Sequence, residues 1–91
     1  MENDVVLETG ARMSREELNG KAGPVPIIAI YAQPTDYPEH YVARLFAMNK
    51  ATPYIWLSKT LEPLRETAAS LQLTRFPRNP EDDPVIVETW L

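Results

Sequence analysis

YVARLFAMNKATPYIWLS, residues 41–58, contains two apolar runs separated by a short polar break. The first run, residues 41–48, is apolar except for Arg44, and the second, residues 54–57, is aromatic and β-branched. These compositions favour strands. Asn49 in the break tolerates the positive φ of a turn. The stretch therefore predicts a β-hairpin, with Pro53 at the first residue of its second strand, a position that accepts proline.

Both faces of this hairpin are apolar, because alternate side chains of a strand point to opposite sides. One face of the first strand carries Tyr41 and Leu45, and the other carries Phe46 and the single charge, Arg44. Strands that are apolar on both faces are usually central or covered. We therefore expect Arg44, if covered, to pair with a carboxylate, for which Glu88 is a candidate.

The rest of the chain supplies one further strand on each side and one helix. Residues 25–32 and residues 85–91 read as strands, and residues 61–72 read as a helix with Thr60 as N-cap and Pro63 in the first turn. The order β-β-β-α-β predicts an α+β fold, a small mixed four-stranded sheet with one main helix packed on one face. Since strands joined through a helix run parallel, the last strand is expected to run parallel to the second hairpin strand.

The length of 91 residues predicts one domain. Residues 1–24 are predicted to be a weakly ordered N-terminal leader, and residues 25–91 a single α+β domain. The leader nevertheless contains VVL at residues 5–7, a candidate short strand, and SREE at residues 14–17, which has capping-box spacing. Residues 74–84 are predicted to be a proline-broken loop.

Composition argues against several classes of function. The net charge of −4 disfavours nucleic acid as a partner, because such binding rests on a basic face. Without cysteine there is no disulfide, thiol nucleophile or cysteine zinc site. No apolar run approaches the roughly 20 residues that span a bilayer, so we predict no membrane partner and expect a cytoplasmic protein. No phosphate-binding glycine loop occurs, and no cofactor is predicted.

Two groups of residues are candidates for chemistry. His40, the only histidine, lies near Asp36 and Glu39 and has the neighbours of a general base. A lone histidine at a strand edge is more often a surface residue, so no catalytic residue is predicted and an enzyme is disfavoured. The acidic run Glu81, Asp82 and Asp83 offers oxygens to a hard cation but lacks the spacing of a calcium loop. We favour an Asx-type turn there and predict no metal site.

The arginines permit two interpretations. Arg44, Arg65, Arg75 and Arg78 form an anion-binding cluster if the fold brings them together, since the guanidinium fork suits phosphate or carboxylate. Scattered salt bridges are the commoner outcome for such residues. The cluster, or His40 with its neighbouring acids, is the basis of an alternative function as a small-molecule-binding or catalytic protein.

Three stretches of the chain occur together in a recognisable order: YVARLF at residues 41–46, TPY to TLEPLR at residues 52–65, and PRNPEDDPVIVETWL at residues 77–91. In these features the chain resembles a group of small bacterial proteins of unknown function. That group has a V-A-R-L strand, a T-L-x-x-[IL]-R helix start and a terminal D-D-P-V-I-V-E-x-W segment. The resemblance covers about half of the chain and implies no activity, substrate or catalytic residue.

A single helix cannot cover both faces of the predicted sheet, so one face is expected to expose aromatic side chains. The candidate partner-binding residues are Tyr54, Trp56, Trp90, Phe46 and Arg44, although core packing is the commoner role for the two tryptophans. A second copy of the chain, the leader or another protein can cover this face. We predict a small non-enzymatic protein-interaction module that self-associates as a homodimer through a sheet face or an edge strand. A third alternative is a regulatory protein that binds a basic target through residues 81–83.

Overall fold

The computed structural model describes residues 4–10, 13–48, 50–81 and 83–91. In chain order its elements are β1 (Val5–Leu7), α1 (Arg15–Ala22), β2 (Pro26–Ala32), β3 (Tyr41–Ala47), β4 (Lys50–Ser58), α2 (Glu62–Ser70), β5 (Arg75–Pro77) and β6 (Ile86–Trp90). In these ranges the strands form one six-stranded sheet in the order β1-β4-β3-β2-β6-β5. The α+β class is confirmed. The predicted four-stranded sheet with one helix is wrong, because the described residues form a six-stranded sheet and two helices.

The hairpin of β3 and β4 is confirmed. The two strands pair antiparallel, with Ala43 opposite Trp56 and Arg44 opposite Ile55. The chain reverses at Met48, which has a φ of 58°, whereas the predicted turn residue Asn49 lies outside the described residues. The central position predicted for the hairpin holds for β3, while β4 has only the short β1 beyond it.

Pro53 lies inside β4, not at its first residue as predicted. The pairing register between β3 and β4 shifts at this point, which is where a strand accommodates a residue without an N–H. Thr52 replaces the missing ladder contacts with its side chain: its hydroxyl donates to the Leu45 carbonyl at 2.6 Å and accepts from the Tyr54 N–H at 3.3 Å.

The last strand, β6, pairs antiparallel with β2 and is separated from β4 by two strands, β3 and β2, so the predicted parallel partner is wrong. The reason is β5, three residues within the predicted loop 74–84. β5 pairs antiparallel with β6, and the successive antiparallel pairings make β5, not β6, the strand that runs parallel to β4 after α2. The rule that two strands joined through a helix run parallel therefore applies to β4 and β5, and the sequence pattern did not predict β5.

The segment predicted as a leader contributes two elements to the fold. β1 pairs parallel with β4, and α1 begins with the predicted capping box: the Glu17 N–H donates to Ser14 Oγ at 3.1 Å, and the Ser14 N–H donates to Glu17 Oε1. α1 ends before Gly23, whose φ of 74° favours glycine. Leu18 on α1 is fully buried, so this segment supplies part of the core.

Both helices pack on the same face of the sheet. α2 begins after Leu61, which makes no side-chain capping bond, so the predicted N-cap Thr60 is wrong, whereas Pro63 lies in the first turn as predicted. The core between the helices and the sheet consists of apolar side chains from both layers: Leu18, Ala22, Ile28, Ile30, Ala43, Leu45, Trp56, Leu64, Ala68, Leu71, Leu73 and Trp90. The alternate side chains of the strands point to the other face, which neither helix covers.

Candidate functional site

The sheet face opposite the helices, which we call the open face, carries a continuous row of side chains across all six strands. Strand register places these residues side by side, from one edge to the other: Phe76, Thr89, Ala29, Arg44, Ile55 and Val6. A neighbouring row contains Ile27 opposite Phe46, both half-buried. In the first row Ile55 and Ala29 are buried, whereas Val6 and Phe76 at its two ends are 54% and 46% exposed.

Arg44, near the centre of the open face, donates to two oxygens, and one of its partners is also bound by Tyr37. Its Nη2 donates to Asp4 Oδ1 at 3.0 Å and its Nη1 donates to the Thr52 carbonyl at 2.8 Å. The Tyr37 hydroxyl donates to Asp4 Oδ2 at 3.1 Å. The predicted pairing of Arg44 is correct, but its partner is Asp4 and not Glu88.

The Asp4 carboxylate is fixed as an anion by its partners. Burial alone raises the pKa of Asp4, but the hydrogen bonds from Arg44 and Tyr37 outweigh burial and hold the pKa below the ordinary value of 3.8. Burial and the bond to Asp4 raise the pKa of Tyr37, so its hydroxyl stays a donor. The ion pair is largely shielded from water, with the side chains of Arg44 and Asp4 17% and 4% exposed. The centre of the open face thus carries no net charge.

A cavity of about 170 Å³ lies beside this ion pair, under the segment that connects β2 to β3. Its lining consists of Tyr31, Pro34, Asp36, Tyr37, Val42 and Arg44. Burial raises the pKa of Tyr31. Pockets for small molecules commonly measure roughly 300 to 1,000 Å³, so this cavity suits only a small group or a single side chain.

A second ion pair lies on the helix-covered face and is part of the core. Arg65 Nη2 donates to Glu88 Oε1 at 2.8 Å, and the Trp90 indole N–H donates to Glu88 Oε2 at 2.8 Å. Burial by itself raises the pKa of Glu88, but these hydrogen bonds outweigh it and hold the pKa below the ordinary value of 4.5. Arg65 also reaches Glu62 Oε1 at 3.3 Å. Every donor and acceptor here has a partner within the chain, which fits a structural role.

The structure separates the five candidate partner-binding residues. Phe46 and Arg44 lie together on the open face. Trp56 and Trp90, 2% and 8% exposed, belong to the core on the other face. Tyr54 lies half-buried on that same face, where the Lys21 ammonium is 4.7 Å from its ring centroid.

The other candidates are spread over the molecule. His40 is half-buried, its backbone carbonyl accepts from the Gln33 N–H, and it does not line the cavity that Asp36 and Arg44 share. Arg44 and Arg65 lie on opposite faces of the sheet, and Arg75 and Arg78 are exposed in and after β5, so the four arginines do not form one cluster.

The acidic run at residues 81–83 is only partly described, because Asp82 lies outside the described residues. Asp83 Oδ1 accepts from the Val85 N–H at 3.0 Å, which is the predicted Asx-type turn. Within the described ranges, no three acidic or histidine side chains are grouped as metal ligands.

Sequence reasoning did not identify Asp4 or Tyr37 as partners of Arg44. The only available signal was the unpaired charge in an apolar strand, which predicts a partner without naming it. Asp4 is 40 residues from Arg44 and comes near it only because β1 lies beside β4.

The chain matches no protein-family model, and searches of the curated proteins and of the solved structures also give no match. Within the described ranges, neither helix has the length and apolar character needed to cross a membrane.

Proposed function

We propose that this chain is a small protein-interaction module that associates with a second copy of itself through the open face. One observation carries the proposal: both helices cover the same face of the sheet, while the opposite face leaves Val6 and Phe76 exposed at its two edges and Phe46 and Ile27 partly exposed between them. Large uncovered apolar faces are rare in monomers and mark contact sites. We propose that the associated form is a homodimer and that the protein is cytoplasmic. We also propose that the chain is related to the small bacterial proteins that it resembles.

A second copy suits this face better than a charged partner. The only ionic group in the central row, Arg44, is already neutralised by Asp4. Two copies related by a two-fold axis therefore place apolar side chains on apolar side chains without bringing like charges together. A strongly basic or acidic partner finds no complementary charge there.

The size of the face predicts a weak dimer. Six strands about 4.8 Å apart and five residues long, at about 3.3 Å per residue, give a plane of roughly 400 Å². Stable complexes bury roughly 800 Å² on each partner. We therefore expect reversible association with a dissociation constant in the micromolar range or weaker.

Sedimentation equilibrium over a range of concentrations tests this proposal. The wild-type chain of 10.4 kDa is expected to approach twice that mass as its concentration rises. Phe46→Glu, which places a charge among the half-buried side chains of the open face, should weaken association at least tenfold. Ala69→Glu adds the same charge on the exposed side of α2 and is the matched control. A wild-type monomer at millimolar concentration would overturn the proposal.

The cavity beside Arg44 supports a second candidate function, binding of a small ligand. It gathers Asp36, Tyr37 and Arg44, although not His40. Titration with acetate and inorganic phosphate, followed by NMR of the tyrosine rings, tests it. Saturable shifts of Tyr31 and Tyr37 support a ligand site, and unchanged spectra exclude small anions. No catalytic step is assigned to these residues.

A further inference from the structure

β1 is a short strand at the edge of the sheet. It has three residues, of which Val5 and Val6 are 45% and 54% exposed. Among the described residues β4 is its one strand neighbour. Edge elements with few buried contacts open at low free energy compared with the rest of a fold.

The surface that receives β1 is nevertheless specific. Along β4, residues 54–56 pair in register with Val5–Leu7. At one end Arg44 and Tyr37 bind the two oxygens of the Asp4 carboxylate. At the other end Leu7 packs against the core, and the Thr9 hydroxyl donates to the Leu57 carbonyl at 3.0 Å. The site therefore contacts an extended segment through the carboxylate of Asp4, the side chain of Leu7 and the hydroxyl of Thr9.

We propose that this site exchanges its strand between two copies, so that residues 4–9 of each copy add to β4 of the other. This inference rests on the proposed self-association and names the segment that each partner contributes. Every contact that β1 makes within one chain is available in the exchanged pair, which is why exchange of an identical element is an inexpensive route to a dimer.

The length of the connecting chain permits the exchange. Residues 10–14 join the exchanged segment to α1, and five residues span up to about 17 Å when extended. Relative to the closed monomer, exchange leaves the burial of β1 unchanged, so the contact between the two open faces supplies the net stabilisation of the exchanged dimer.

A pair of charge-reversed variants tests the exchange. Asp4→Arg sets two cations against each other within one chain, and Arg44→Asp sets two anions against each other. In a mixture of the two variants, reciprocal exchange restores an opposite-charge pair at both sites. Both variants also carry Phe46→Glu, so that the open face does not contribute to association.

Native mass spectrometry and sedimentation of the equimolar mixture should show heterodimer at least tenfold above either variant's own dimer. Glu8→Arg mixed with Arg44→Asp is the matched control, because Glu8 is exposed and adjacent to β1, and should give no enrichment. The single chain with both Asp4→Arg and Arg44→Asp regains its internal pair and should lose the preference for a partner.

The exchange is excluded if both variants are folded by circular dichroism and their mixture remains monomeric. If either variant fails to fold alone, the two are refolded together: recovery of structure only in the mixture supports exchange, and its absence overturns it. A wild-type dimer that depends on Phe46, with no charge-driven heterodimer, would retain the open-face proposal and remove this one.

Discussion

Glu88 and Arg65 illustrate what one buried charge requires of its surroundings. The Glu88 carboxylate is 3% exposed, and it remains ionised because a guanidinium and an indole N–H both donate to it. Removing the partner of a buried charge commonly costs several kcal/mol, more than the pair contributes relative to an apolar replacement.

Arg65→Met should therefore destabilise the fold by about 2 to 3 kcal/mol. This is less than the cost of breaking a fully buried pair, because Arg65 is partly exposed and the Trp90 indole still donates to Glu88. Urea denaturation at pH 7 measures the change. Arg78→Met, at an exposed position after β5, is the control and should change the unfolding free energy by no more than about 0.5 kcal/mol. Equal effects of the two substitutions would contradict a structural role for the pair.

The same pair predicts a pH dependence of stability. The pKa of Glu88 is lower in the folded chain than in the unfolded chain, so its ionised form stabilises the fold above about pH 4.5. That contribution disappears as the pH falls through the folded pKa. Wild-type stability should therefore fall more steeply between pH 5 and pH 3 than that of Glu88→Gln, as measured by thermal unfolding at each pH. Parallel curves for the two proteins would show that another group is responsible.

Features of single residues were predicted correctly where they depend on residues close in sequence or on the cost of burying a charge. The capping box at Ser14 and Glu17 needs only three residues of sequence separation. The pairing of Arg44 also followed from the cost of an unpaired charge. Its partner did not, since the distance between Asp4 and Arg44 depends on which strand lies beside β4, and that is a property of the whole sheet.

At the scale of elements, α1 shows that a short, polar helix can be part of a core. Its eight residues have little apolar character, so periodicity gave no strong signal, yet Leu18 is fully buried against the sheet. Leu18→Ala should destabilise the chain by about 2 to 5 kcal/mol, because it removes a buried side chain from a packed interior.

Chemical denaturation measures this effect, and Leu91→Ala, at a half-exposed position, is the matched control. A loss below about 0.5 kcal/mol for Leu18→Ala would mean that residues 15–22 do not contribute to the stability of the fold.

The elements with a clear apolar pattern were predictable, whereas β1, β5, α1 and the first residues of β4 were not. β2, β3 and α2 carry apolar patterns of seven to nine residues, enough for a reliable period. β1 and β5 have three residues each, and β5 contains an arginine and a proline. Such segments are strands because they pair with a neighbouring strand, β4 for β1 and β6 for β5, and not because of their composition. Missing β5 also led to the wrong neighbour for β6.

At the scale of the whole molecule, the two faces of the sheet differ in whether the helices cover them. The helix-covered face buries Trp56 and Trp90, and the open face carries the proposed contact surface. Tryptophan emission should therefore remain constant when the dimer dissociates on dilution, while unfolding shifts it to longer wavelength. Fluorescence measured over the concentration range used for sedimentation provides the test. A red shift that accompanies dissociation would place a tryptophan at the interface.

Pro77 sets a limit on how far such assemblies can grow. Thr74 and Leu91 exchange both backbone hydrogen bonds, and pairing alternates along β5, so the backbone nitrogen of Pro77 faces the solvent side of that strand. It offers no hydrogen to an approaching chain, and β5 ends there. A sheet in which only one edge can pair with a strand of another chain forms closed dimers. A sheet in which both edges can pair forms open-ended fibres. Pro77→Thr restores an N–H at this edge and should increase the tendency of the proposed dimer to form larger assemblies.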